Sequence, residues 1–450
     1  MWLVNQLDRF PAFREWLMPL VASDTRRRIV KGAFWGGMAS FTTRCVALAV
    51  SFLLARLVGK ERFGEYGMIN NTAVTIGGLA GFGIGMTVVK YVAELKNKDK
   101  ERIGRIIALS TVVTSISAVA YLVLFVTFAP WIAIKTLAAP HLAPMLQISS
   151  IAVALGIVNS VQVSSLTGCE AFKMLSTINI INSIVQSVLV LLGAWLWGIK
   201  GAVWMFSVTA VIVVCVTRCG VSREWKRLGI TVRWKNFFQE WKVLLHFSLP
   251  TFLAGISVGP IVWGCSALLA NQENGYDELG IYNAANQWQT AIQFLPGLIG
   301  VAFLPILTER FGNGKGKEGI GFMLKMMKLV GIIVFPLVII ISMLSPLIMR
   351  GYGETFVNGY KTLVIAVVTA GLLAVMTPVG QVIAASGKMW IGFWMNVGWG
   401  LCMLGFTWLF VRWGAEGVAG ARLLAYLIHA MWTFGFVVYI NRERREKVFA

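Results

Sequence analysis

Arg44 stands inside an apolar run, residues 32–57, about 12 positions from its start and so roughly 18 Å along a helix rising 1.5 Å per residue. A guanidinium at that depth reaches neither edge of a bilayer easily, and placing it there costs at least ~2.5 to 3.5 kcal/mol. It must face protein or water. Every one of the twenty acids falls in a loop, a terminus or a span edge, Glu94 lying nearest to membrane depth. A deep cation without a carboxylate suits a hydrated cavity that receives an anion; pairing with backbone carbonyls or hydroxyls at a helix contact is the alternative. Arg56 and Arg422 near the outer ends of the first and last runs, and Lys90 near the inner end of the second, add positive charge at other depths, although each alone also fits a snorkelling side chain.

Amides supply a second pattern. Asn283, Asn286, Gln287, Thr290 and Gln293 recur at spacings of three and four and form a polar stripe on one helix face, suited to sugar hydroxyls or to a neighbouring helix. Asn286, Gln287 and Gln293, with Asn70 at the corresponding place in the second run, are read as cavity lining. A similar stripe, Asn179, Asn182, Ser183 and Gln186, is read instead as a contact between helices. His429, near the middle of the last run, is a candidate for ion coupling or a satisfied packing residue. No metal or cofactor is expected, since the six cysteines are scattered and Cys215 and Cys219 have no nearby His or carboxylate to complete a site. Cys45, Cys215, Cys265 and Cys402 lie in apolar runs and are read as packing residues.

Holding such side chains requires helices that cross a bilayer. Of the 450 residues 57% are hydrophobic and 13% charged, with a mean hydropathy of +0.73. Apolar runs able to span a ~30 Å hydrocarbon layer recur along the whole chain. The expectation is an all-α polytopic membrane protein with about twelve spans, near 32–57, 67–92, 106–130, 143–167, 176–197, 201–219, 243–270, 281–307, 321–349, 361–386, 389–411 and 417–440. The net charge of +20 does not point to nucleic acid, because the basic residues sit mainly in short loops. With Arg218 counted in the central linker and Lys361 in the loop before it, 27 Lys and Arg fall in the inner segments and 7 in the outer loops. That asymmetry places both termini in the cytoplasm.

A constant shift of 216 residues carries Gly64 onto Gly280, Tyr66 onto Tyr282, Asn70 onto Asn286, Gly81 onto Gly297, Pro130 onto Pro346, Gly198 onto Gly414 and Gly201 onto Gly417. An internal duplication with six spans per copy explains the register. Because each copy starts on the same side, the two lobes are related by a pseudo-twofold along the membrane normal and face each other across a central cavity. The domains are then an interfacial segment 1–31, lobes 32–219 and 243–440, a basic linker 220–242 and a basic tail 441–450. In the first segment Leu3, Leu7, Phe10, Phe13, Leu17 and Leu20 share a face, as in a helix lying in the membrane interface, bent around Pro11. The stretch Arg218 to Lys242, with Trp225, Trp234 and Trp241, is expected to lie on the inner leaflet.

The stretch KGAFWGGMASFTTR from Lys31, followed by LARLVGKERFGEYG, resembles the opening of the bacterial polysaccharide exporters, the lipid-linked oligosaccharide and O-antigen flippases. They share a superfamily with multidrug extruders and lipid II flippases. GFGIGMTVVKYVAE, the Gly/Lys loops near Lys173 and Lys388, and the closing GAEGVAGARLLAYLI extend the resemblance over nearly the whole chain. It implies alternating access in the bacterial inner membrane, with an undecaprenyl-diphosphate-linked oligosaccharide carried to the periplasmic leaflet and passed toward a polysaccharide polymerase. It also implies that basic residues of the cavity engage the diphosphate; Arg44 and Arg56 stand within the matching first-helix motif.

An exporter of cationic drugs, the alternative transporter, calls for carboxylates at the cavity midplane, and none is placed there. A membrane glycosyltransferase calls for catalytic acids or a metal-binding cluster, whereas Glu273, Asp277 and Glu278 read as a solvated turn. The chain is therefore expected to be no enzyme. Without an acidic coupling site, an anion leaving a negative interior is expected to draw on the membrane potential, at ~2.3 kcal/mol per charge per 100 mV.

Overall fold

The computed structural model describes residues 24–81, 83–243, 248, 258–294, 296–297, 307, 316–386 and 388–449, all of whose regular elements are helical. The interfacial helix expected over 2–20, and the inner parts of the seventh and eighth spans, lie outside the described residues.

α1 (Asp24–Val58) is followed by α2 (Lys60–Ala80) and α3 (Ile84–Leu95), which form one bent span. The axis turns by 54° between them, where Gly83 takes φ +63° and supplies the left-handed residue the bend needs. α4 (Lys100–Trp131) starts on Asp99, whose carboxylate accepts from the Arg102 backbone N–H at 2.8 Å, and runs past Pro130 into a π turn, Ile132–Thr136. α5 (Ala143–Gly168) then precedes α6 (Phe172–Leu228).

Kept straight, α6 would extend ~85 Å, far beyond one bilayer. It is interrupted at Trp197 and at Gly198 (φ +61°, ψ −148°), a region that only glycine enters freely. Gly193 and Gly201 press backbone on backbone, although eight residues along a straight helix lie ~12 Å apart. The element is therefore a hairpin of two crossings. In the second half α7 (Val258–Ala270) and α8 (Gly275–Ile292) are followed by α9 (Gly316–Met343), α10 (Ser345–Tyr352), α11 (Tyr360–Ala385), α12 (Met389–Phe410) and α13 (Gly414–Phe449). Between α12 and α13 the chain reverses again, at Gly414 with φ +63° and ψ −142°. Residues 216 apart thus share one unusual backbone conformation, and Trp197 and Trp413 precede the two glycines at exposed corners.

Seven described helical runs are long and apolar enough to cross a membrane, and the bent pair makes an eighth. Two of the seven, Phe172–Leu228 and Trp390–Tyr439, contain a hairpin, so ten of the expected spans are described at length and α7 and α8 in part. Large apolar side chains such as Trp195 (70% exposed), Leu401 (68%) and Met343 (78%) cover the outside, as lipid contact requires. Cys45 and Cys215 belong to that exposed surface, with Cys219. The packing role expected for the thiols of apolar runs holds for buried Cys265 and for half-buried Cys402, which packs against the same core, while Cys45 and Cys215 face outward, because hydrophobic residues of a membrane protein face lipid as readily as core.

One core joins the two halves at the end away from the basic segments, where Leu54, Phe63 and Met68 share a cluster with Tyr282, Tyr352 and Phe356. At the other end the buried clusters are separate: Ile84, Val92, Ile107 and Val221 in the first half, Met323, Val379, Val382 and Val437 in the second. Among the described residues the two lobes therefore share a core at one end and keep separate clusters toward the end that carries the basic segments, where Phe41 still meets Phe294 at 6.2 Å between ring centres. Helix α6 continues to Leu228, burying Trp225 in the first lobe instead of laying it on the membrane surface. The linker beyond it stays with that lobe: Arg102 and Arg105 hold the Glu240 carboxylate, and Arg233 pairs with Glu101 at 2.8 Å. Past the linker, Ser248 of the second half reaches across to the first, its hydroxyl 2.6 Å from that of Thr87.

Forcing a Cβ into either hairpin glycine costs ~1 to 3 kcal/mol of backbone strain. Gly198→Ala and Gly414→Ala are each expected to unfold more readily in detergent than the parent. Gly36→Ala, on a helix face with open space around the site, is expected to match or exceed it. Unchanged melting of both hairpin variants contradicts the assignment of strain.

Candidate substrate cavity

Where the lobes meet, α2 packs directly on α8. A Cβ on Gly64 would lie 2.8 Å from the Gly280 nitrogen, and one on Gly280 would lie 3.1 Å from the Lys60 carbonyl carbon and closer still to its oxygen. Gly64 also faces the Tyr276 carbonyl, and Tyr276 is Lys60 shifted by 216 residues, so each lobe offers the other the same glycine against the same backbone position. Gly67 and its equivalent Asn283 touch each other, which puts them beside the pseudo-twofold axis. Polar contacts close this seam. Arg56 Nε donates to the Gly351 carbonyl at 2.6 Å, the Ser51 and Tyr352 hydroxyls meet at 3.0 Å, and Lys60 approaches Asp277 at 3.6 Å. Because the π turn after α4 redirects its carbonyls, Thr136 accepts from the Asn271 amide at 2.7 Å and Leu137 from the Tyr276 hydroxyl at 2.9 Å.

Below the seam lies a cavity of about 380 Å³, within the ~300 to 1,000 Å³ of small-ligand pockets. Ser51 of α1, Tyr66 and Asn70 of α2, Ser183, Gln186 and Ser187 of α6, and Asn283, Asn286, Gln287 and Thr290 of α8 line it. Among the described residues no charged side chain does. Asn70 Oδ1 and Asn283 Nδ2 are buried without a protein partner among the described residues, Asn283 Nδ2 lying against Gly67. Arg422 of α13 stands behind α8 and donates to Asn286 Oδ1 at 2.8 Å, with the Tyr282 hydroxyl 3.4 Å away. With its oxygen occupied, Asn286 has its amide donors left for the cavity. The wall is neutral and rich in hydrogen-bonding groups, chemistry that suits hydroxyls.

The residues singled out by sequence thus separate. Asn70, Asn286 and Gln287 line the cavity, and Arg422 supports Asn286 from the second layer. Gln293 continues the α8 stripe beyond Thr290 and is not part of the wall. Arg44 is exposed, one turn from Ala47 and two from Ser51 on the same side of α1, with no partner among the described residues. Arg56 serves the seam, away from the cavity, and Lys90 is exposed on α3 with its ammonium 5.1 Å from the centre of the Tyr91 ring. His429 lies edge-on to Trp432 at 5.9 Å.

One reading needs correction. The α6 stripe lines the cavity through Ser183 and Gln186 and is not simply glue between helices, because the hairpin turns that face toward α1 and α2. The most buried acid near the cavity is Glu65 of α2, 2.5 Å from His141, whereas Glu94 is exposed. The turn acids are also tied down: besides Asp277 at the seam, Glu278 accepts from the Ala415 backbone N–H at 2.7 Å and caps α13. Ser51, Tyr66 and Ser187 carried no signal in the sequence beyond their helical register.

Two helical lobes around a polar cleft define a membrane transporter fold. The structure superposes with a TM-score of 0.74 and 14% identity on the inward-facing conformation of a multidrug resistance MATE family transporter of the MOP superfamily, covering 90% of this chain and 96% of that one. With the lipid II flippase MurJ in an inward closed conformation the TM-score is 0.72 at 15% identity, covering 89% and 86%. Residues 29–311 match the polysaccharide biosynthesis protein family, and the chain belongs to that family. It is 23% identical over 402 residues to the EPS I polysaccharide export inner membrane protein EpsE of Ralstonia nicotianae, 86% of this chain and 88% of that protein.

Proposed function

We propose that this protein is a flippase that carries an undecaprenyl-diphosphate-linked oligosaccharide from the cytoplasmic to the periplasmic leaflet by alternating access. The observation that carries the reading is the pairing of a cavity lined by amides, with no charged side chain among the described residues, with an exposed cation, Arg44, one helical turn from Ala47 of its wall. Sugar hydroxyls match the first and a diphosphate matches the second. In this reading the basic end faces the cytoplasm, in line with the charge asymmetry of the loops, and Lys90 adds positive charge near its mouth. Arg56 holds the outer seam shut while substrate enters, and Arg422 positions Asn286 for the glycan. Family membership and the likeness to an exported-polysaccharide protein support the substrate class. A drug-exporting role has no supporting carboxylate in the cavity wall among the described residues.

The test is reconstitution into liposomes carrying a fluorescent polyprenyl-diphosphate oligosaccharide, with a membrane-impermeant reagent reporting which leaflet holds the glycan. Protein-dependent translocation is expected, faster when an imposed potential drives the anion outward. A cationic dye is not expected to move. Dye transport without glycan translocation overturns the proposal, and glycan transport that follows only a proton or sodium gradient moves the coupling role to His429.

A further inference from the structure

A second cavity, about 860 Å³, lies at the basic end of the first lobe between the start of the first α6 arm, the end of its second arm and Trp35 of α1. It does not belong to the substrate cavity. Ser183, Gln186 and Ser187 face the lobe interface, whereas Thr177 and Ile181, which line this groove, lie on the far side of the same helix at 100° per residue. The groove therefore opens outward, toward lipid. Ile184, Val188 and Leu192 continue the exposed apolar face of one arm, and Val208, Val211 and Ile212 that of the other.

Its mouth is cationic. Lys173 lies 5.6 Å over the Trp35 ring, Arg223 is exposed, and Arg227 pairs with Glu224 at 2.5 Å. The two acids of the groove already have cations, Glu224 from Arg227 and Glu170 from Lys96 at 2.7 Å. An arriving headgroup consequently meets Lys173 and Arg223. This order of charges at headgroup level and bare aliphatic side chains deeper in the bilayer is that of an anionic lipid. The amide stripe that suits a glycan is absent from this groove, whose lining offers Thr177 as its neutral polar side chain. We propose that the groove is a binding site for one anionic phospholipid, its phosphate on Lys173 and Arg223 and an acyl chain along Ile181, Ile184 and Val188.

Native mass spectrometry of the full chain, titrated with phosphatidylglycerol or phosphatidylcholine, tests this. One phosphatidylglycerol is expected to be retained at a concentration tenfold below that needed for phosphatidylcholine. Lys173→Gln with Arg223→Gln should remove that preference, and Arg223→Gln alone, an exposed change that spares the fold, should weaken it several-fold. A second readout uses Cys215 and Cys219, exposed cysteines of the groove. In a Cys45→Ser background their maleimide labelling should slow several-fold with phosphatidylglycerol; Cys169 stays unlabelled, since burial pushes its thiol up to about 11. Equal retention of the two lipids, variants that keep the preference, or displacement of phosphatidylglycerol by an equal concentration of undecaprenyl diphosphate overturns the proposal.

Discussion

Arg44→Ala abolishes glycan translocation while the protein inserts and folds at normal abundance. Arg44 is exposed and has no partner among the described residues, so truncation leaves no buried group stranded and little stability to lose. What it removes is an exposed cation one helical turn from Ala47 of the cavity wall. Charge-assisted hydrogen bonds contribute ~1.5 to 3 kcal/mol each, and losing a bidentate contact to a diphosphate amounts to about a hundredfold or more in affinity. Arg44→Lys retains the charge without the planar fork and is expected to recover part of the rate. Flipping in liposomes, alongside surface glycan in cells, measures both variants; full activity of Arg44→Ala removes the diphosphate role.

Gly64→Leu is expected to be equally damaging for a different reason. The atoms that its Cβ would meet are backbone, the Gly280 nitrogen at 2.8 Å and the Tyr276 carbonyl carbon at 3.0 Å, so no rotamer change makes room. The lobes must separate at the seam, and with it goes the closed state that, in the proposed cycle, admits substrate from the cytoplasm. Spin labels at Leu57 and Leu347, exposed on α1 and α10, should report a longer distance in Gly64→Leu than in the parent, with translocation near background. Gly280→Leu should act alike. Gly78→Leu, on the same helix as Gly64 with nothing within 4 Å of its would-be Cβ, is the control expected to stay active. An active Gly64→Leu protein with parental distances shows that the seam tolerates bulk.

The repeat was legible because glycines carry backbone information directly. Gly198 and Gly414 stood out at a shift of 216 residues, and both turn their chains with nearly the same φ and ψ. The bend at Gly83 was not legible, since glycines in membrane helices serve close packing as often as turns. Within the cavity, the α8 stripe announced its polar face and its use together because Asn70 stood at the equivalent place. The α6 stripe announced only a polar face. Which neighbour it meets depends on where the hairpin leans, a matter of tertiary packing. Depth along a helix could be counted for Arg44, Arg56, Lys90 and Arg422, but direction around it could not, and direction is what separates a cavity cation from a seam clamp or a support for Asn286. Glu65 was overlooked for a related reason: α2 begins at Lys60, earlier than hydropathy suggested, which carries the acid into the helix beside His141.

The reciprocal glycine contact of α2 and α8 also has a mechanical meaning. Backbones that touch beside a symmetry axis act as a fulcrum, and everything toward the basic end is lever arm. A rotation of about 10° at the seam carries a point ~30 Å away by ~5 Å, and two lobes turning in opposite senses double the gape. Small side chains at the fulcrum thus translate sub-ångström adjustments into an opening wide enough for a hydrated headgroup, while the seam's own hydrogen bonds barely stretch. In the alternating-access cycle proposed above, opening the other way requires the same body to let go of this fulcrum and find one at the opposite end, so the work would concentrate in breaking the Arg56, Tyr276 and Lys60 contacts.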